Sequence, residues 1–284
     1  MEVVAKAALY LGLVATLGAG AWGRWVAPGE MRSGARRRLA IGAILGVALV
    51  ASGALGEVVA LLQRITRGAA DLGLVVEYLG ATRHGRWALV TIALAIPLGW
   101  WSARRPSTQA TGLERVAYAA LGVAWLGSVA AAGHSGAMGL GPAAASLAHL
   151  IALVGWGGAL VWLALLPLWG DPALARRPLN WIDRVGPPAL AALLASGGAM
   201  TLLHLHDPLS NATSTAYGRA WLGKLALVSV VVVLAGVNRF VHVPAFRRGA
   251  TAGLRRLVRV EAALLALVLI ATAVLSTRPP VHAP

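Results

Sequence analysis

Apolar runs of membrane-spanning length recur along the whole chain, and they constrain the fold more than any other feature. Eight are read, at roughly 3–22, 39–62, 87–101, 116–132, 146–168, 185–205, 220–238 and 257–276, each bounded by Arg, Pro or Gly. A helix rises about 1.5 Å per residue, so about twenty apolar residues cross the hydrocarbon layer of a bilayer. The third run is short and carries Pro97, so it is expected to start earlier or to bend. Hydrophobic residues make up 58% of the 284 and charged residues 12%, too little charge to cover a soluble domain of this length. The expected fold is all-α, a polytopic membrane helical bundle of about eight transmembrane helices forming a single membrane domain, 1–284.

Charge placement orients the bundle. The stretches after runs one, three, five and seven hold Arg24, Arg32, Arg36, Arg37 and Arg38; Arg104, Arg105 and Arg115; Arg176, Arg177 and Arg184; and Arg239, Arg247, Arg248, Arg255, Arg256 and Arg259. These are 17 of the 25 basic residues, whereas the loop after run four has none. By the positive-inside rule the odd connections are cytoplasmic and both termini lie outside. The net charge of +15 then reads as topology, with no nucleic-acid partner. Lys6 before an apolar run resembles a cleavable signal, but Arg24 and Arg36–Arg38 follow it directly. The segment is therefore expected to stay as the first span.

An internal repeat is also expected. Thr82-Arg83-His84-Gly85-Arg86 leads into the third run and Thr215-Ala216-Tyr217-Gly218-Arg219 into the seventh. Ala51-Ser52-Gly53 in the second echoes Ala195-Ser196-Gly197 in the sixth. Both pairings are four spans apart, so halves 1–110 and 111–284 would be parallel repeats, with the site between them.

The absence of cysteine excludes disulfides, thiolate zinc sites and cysteine nucleophiles, and suits an oxidising compartment. Neither a phosphate loop, a Ser-His-Asp arrangement nor an HExxH sequence is found, so no enzyme activity is expected. The topology puts six of the seven histidines outside: His84, His134, His149, His204, His206 and His282. His134 lies just beyond run four and His149 about one turn into run five, joined by an uncharged, glycine-rich loop with Met138. Two imidazoles converging at the outer face would suit a metal; two interfacial histidines bonded to carbonyls is the plainer alternative. Met200 and His204, four apart, share a helical face, with His206 and Asp207 at its mouth. Thioether and imidazole together suit copper, while core packing for Met200 and a polar helix end for the histidines are the plainer readings of each taken alone. Glu57, inside run two, is a ligand, a proton partner or an ion-pair partner of Lys224. Arg239 and Glu261 are expected to form a structural ion pair on the cytoplasmic side. Axial imidazoles of His149 and His204 holding a b-type haem are a further alternative.

The ordered set of Gly133-His134-Ser135, His149, Trp156-Gly157-Gly158, Tyr217-Gly218-Arg219, Lys224, Asn238-Arg239, Pro244 and Val260-Glu261-Ala262-Ala263, with Pro279-Pro280 closing the last span, resembles the copper resistance D (CopD/PcoD) family. The resemblance spans the chain and is densest from 133 to 280. It implies a bacterial inner-membrane protein of copper homeostasis, moving a copper ion (Cu+ or Cu2+) from periplasm toward cytoplasm. It also implies a separate periplasmic CopC-like partner. With only four Met in the chain, weight shifts from thioether to histidine. A copper-delivery factor for oxidase assembly is the remaining alternative.

Overall fold

The computed structural model describes residues 1–26, 31, 33–104, 110–169, 172–204 and 212–278. Among these residues the chain is helical without strands. The helices are α1 (Glu2–Ala21), α2 (Ser33–Ile65), α3 (Leu72–Ala81), α4 (Arg83–Ala103), α5 (Gly112–Ala132), α6 (His134–Ala137), α7 (Leu140–Leu165), α8 (Pro172–His204), α9 (Ala216–Val237), α10 (Val243–Arg247) and α11 (Ala252–Ser276). Five-residue π-helical turns, Trp22–Val26 and Asn238–His242, follow α1 and α9.

Among the described residues seven stretches are long and apolar enough to cross a membrane: Glu2–Val26, Ser33–Ile65, Gly112–Ala132, Leu140–Leu165, Ala173–Leu203, Ala216–Arg247 and Ala252–Ser276. The all-α polytopic bundle is therefore as expected. The third expected crossing, α4, has the length but not the apolarity, because Arg83, His84 and Arg86 open it and Pro97, Trp100 and Trp101 weaken its end. It nevertheless packs against α1, α2 and α5 within the bundle. The short helix α3, absent from the sequence reading, is capped by Asp71, whose side chain accepts from the Leu74 amide at 2.8 Å.

Several helices outrun the apolar segments that announced them. α8 begins at Pro172 rather than near 185, and α2 at Ser33 rather than near 39. Arg36–Arg38, Arg115, Arg184, Arg255, Arg256 and Arg259 consequently sit within helices instead of in loops. Hydropathy falls where a helix leaves lipid, but backbone hydrogen bonding continues into the interface.

α1 is the axis, packing against α2, α4, α7 and α11. Close crossings are made by glycine. A Cβ at Gly18 would come within 2.9 Å of the Gly158 Cα, and one at Gly158 within 2.8 Å of the Gly18 Cα. Small residues allow this contact where no hydrophobic force drives helices together in lipid. Interhelical polar bonds add specificity: Trp162 Nε1 donates to Ala15 O at 3.2 Å, Trp125 Nε1 donates to Thr91 O at 2.7 Å, and Thr91 meets Ser128 at 2.9 Å.

Arg24 does more than orient the first span. It is buried, donates to Gly20 O and Trp101 O at 3.1 and 3.2 Å, and lies 4.0 Å over the Tyr118 ring. It thus ties α1, α4 and α5 together.

The expected Arg239–Glu261 ion pair does not form. Arg239 pairs with Asp183 at 2.7 Å, and Arg247 reaches the same carboxylate at 3.5 Å. The early start of α8 brings Asp183 onto a helix within reach, while Glu261 is buried in the bundle beside Asn238.

The two Thr-x-x-Gly-Arg segments share one local geometry. Thr82 and Thr215 each cap a helix, their hydroxyl oxygens accepting from Gly85 N and Gly218 N at 2.9 Å. The helices they open have 21 and 22 residues, and Ser52 and Ser196 both lie in 33-residue helices.

Candidate metal centre

The chain leaves α5 at Gly133, in extended conformation, and folds at once into the short helix α6. Gly136 must be glycine for this: a Cβ there would lie 2.7 Å from Ala131 backbone atoms. Gly139, with φ of +118°, then turns the chain into α7, where a side chain would strain the backbone. The start of α4 clamps this corner. Arg83 Nη2 donates to Gly136 O at 2.7 Å, and His84 Nδ1 bonds Ala132 O at 3.1 Å. His84 therefore takes the plain role of a histidine on a carbonyl, and the Thr82–Arg86 motif holds the segment that carries His134.

His134, His149 and Met200 line one cavity of about 680 Å³, bounded by α1, α5, α7, α8, α9 and α11. Residues of three elements, α6, α7 and α8, thus face one space. His149 is oriented by Ser196, at 3.0 Å from Nδ1. The single Ser196 proton is donated to Ala192 O, so toward the imidazole the hydroxyl can only accept. Nδ1 then carries the hydrogen, and Nε2 carries a lone pair that a metal can use. Sequence reading used Ser196 only as a repeat marker and missed this role, although its spacing on α8 was visible.

A second cavity of about 300 Å³ is lined by Glu57, His84 and Arg64 and shares Lys6, Tyr10 and His134 with the first. Glu57 pairs with Lys6 at 3.3 Å, not with Lys224. Lys6 projects from the first turns of α1 beside α2, whereas Lys224 lines the larger cavity. Glu57 thus lines a cavity with His134 whose described lining does not include His149 or Met200. Both partners of the Lys6–Glu57 pair are largely shielded, with side-chain exposures of 12% and 14%. Glu57→Gln leaves the Lys6 ammonium without its counter-charge. In thermal denaturation it is expected to cost about 1–3 kcal/mol, with the double variant Lys6→Met/Glu57→Gln regaining most of that. An equal loss in the single and double variants would contradict a coupled pair.

Among the described residues no group of three or more His, Asp or Glu side chains could hold a metal ion. Two imidazoles and a thioether are what the larger cavity offers among its described lining residues. The His204 side chain, His206, Asp207 and His282 lie outside the described residues, and so does the haem arrangement that needs His204.

Residues 176–275 match the family model described as copper resistance protein D. The copper resistance protein D of Pseudomonas syringae pv. tomato is 30% identical over 280 residues, spanning 89% of this chain and 86% of that protein. No solved structure matches the chain. The family-model segment holds Met200, Lys224 and Glu261, while His134 and His149 precede it.

Proposed function

The chain belongs to the copper resistance protein D family, and from that premise we propose that it binds copper at a histidine site and transports it across the bacterial inner membrane. Copper is the substrate, entering from the periplasmic side and leaving toward the cytoplasm. His134 and His149 capture it. Met200 is a third ligand, with His204 and His206 as further candidates. Glu57 acts as proton partner through its contact with the shared wall of the two cavities. The bundle crosses the membrane eight times, α4 included, with both termini outside and the halves 1–110 and 111–284 as parallel repeats. A separate CopC-like protein supplies the copper, and the protein is not an enzyme.

One observation carries this reading: imidazoles from two segments and a thioether from a third line a single cavity, and the Ser196 bond leaves one imidazole nitrogen with its lone pair. Copper uptake into proteoliposomes containing the purified chain tests it. Uptake above protein-free vesicles is expected. Binding without uptake would leave a copper-delivery factor, and a strong Soret band in the purified protein would replace copper with haem. Protons compete with copper for imidazole nitrogens, so binding weakens as the pH falls. A titration in which affinity rises on acidification would exclude histidine as the ligand.

A further inference from the structure

The larger cavity extends beyond anything a copper ion needs. Tyr217, Trp221, Lys224, Val228 and Val231 recur at helical spacing along α9, and all line it. From the helix start inward this face reads aromatic, then cationic, then aliphatic. Lys224 is eight residues into α9, about 12 Å from its start. Opposite it, Leu193 of α8 and Val268 of α11 continue the aliphatic lining.

The cavity also has an open side. α8 packs on α7 and α9 on α11, but among the described residues α8 and α9 form no extended packed pair. They are joined near one end by Trp221 Nε1 donating to Thr201 Oγ1 at 3.0 Å. Toward the other end Asp183 of α8 pairs with Arg239, just beyond α9, and a cleft runs between the two ties.

Its charge is one-sided. Lys224 and Arg278 line the cavity, neither within ion-pair distance of a carboxylate among the described residues. No Asp or Glu is among the described lining residues. A cation at membrane depth is costly without a counter-charge, and an apolar groove beside it takes a hydrocarbon chain. The occupant that meets both demands brings an anionic group to the level of Lys224 and an aliphatic chain beyond it.

We propose that the cleft between α8 and α9 binds one anionic phospholipid, its phosphate at Lys224 and Arg278 and an acyl chain along the aliphatic face of α9. The lipid would share its cavity with His134 and His149, but the residues proposed to hold it are not the proposed copper ligands.

Native mass spectrometry of the purified full chain, titrated with phosphatidylglycerol or with phosphatidylcholine of the same chains, tests it. One retained phosphatidylglycerol is expected, preferred at least about 10-fold over phosphatidylcholine. The double variant Lys224→Gln/Arg278→Gln should lose the preference. Val228→Trp, which fills the groove and keeps both charges, should lose the adduct while its circular dichroism stays that of the parent. Equal retention of both lipids, or a preference that survives the double variant, overturns the proposal. So does protection against thermal unfolding by inorganic phosphate equal to that by phosphatidylglycerol, or a lipid-free dimer in place of the lipid-bound monomer.

Discussion

Replacing His134 and His149 together by alanine is expected to lower copper affinity at least about 100-fold, because it removes both imidazoles that the larger cavity presents among the described residues. Each single variant should lose part of this, and the two losses should not add, since a metal held by two ligands is mostly lost with either. Ser196→Ala tests the supporting bond separately. It keeps the His149 ring but frees it to rotate and to change tautomer, and should cost about 10-fold. Equilibrium titration of the purified protein against a competing copper chelator measures all four. Affinity and stoichiometry that stay unchanged in the double variant would end the assignment of these residues, and copper would have to bind elsewhere in the bundle.

Gly158→Leu is expected to be the most damaging single substitution for the fold. The Cβ alone would sit 2.8 Å from the Gly18 Cα, a backbone atom that cannot turn aside. α1 and α7 would have to separate, disturbing the axis on which the other helices pack. A loss of about 3 kcal/mol or more is expected, at the upper end for overpacked sites. Gly155→Ala, three residues away on the same helix, meets nothing within 4 Å and should change stability by less than about 1 kcal/mol. Gly157→Ala should fall between, because its new methyl meets the Leu265 side chain, which can move. Thermal or denaturant unfolding in detergent separates the three. If Gly155→Ala proves as harmful as Gly158→Leu, the close crossing is not the cause.

The identity of the site was legible to different depths. His134 and His149 stood out because polar, metal-binding side chains are rare in such a sequence, and they do line one cavity. Glu57 stood out for the same reason, but its partner was misjudged. Lys6 was read only as a possible leader residue, and nothing local says that the first turns of α1 lie against α2 at that level. Arg239 and Glu261 were paired because both end spans on one side. The pairing failed because Asp183 lies on a helical extension of α8 that hydropathy does not register.

Apolar length, basic clustering and the cap residues Thr82 and Thr215 were enough by themselves to establish a polytopic helical bundle and to bring out its internal echo. These signals are local: lipid demands about twenty apolar residues per crossing, and a cap needs only its own first turn. Which helices touch was decided by tertiary structure alone. The crossing of Gly18 with Gly158, the Ser196 bond that orients His149 and the cleft left between α8 and α9 depend on residues far apart in the chain. Helices with apolar sides all round carry no stripe that announces a partner, so their neighbours are chosen by steric fit and a few buried polar bonds, which become visible only once the bundle is assembled.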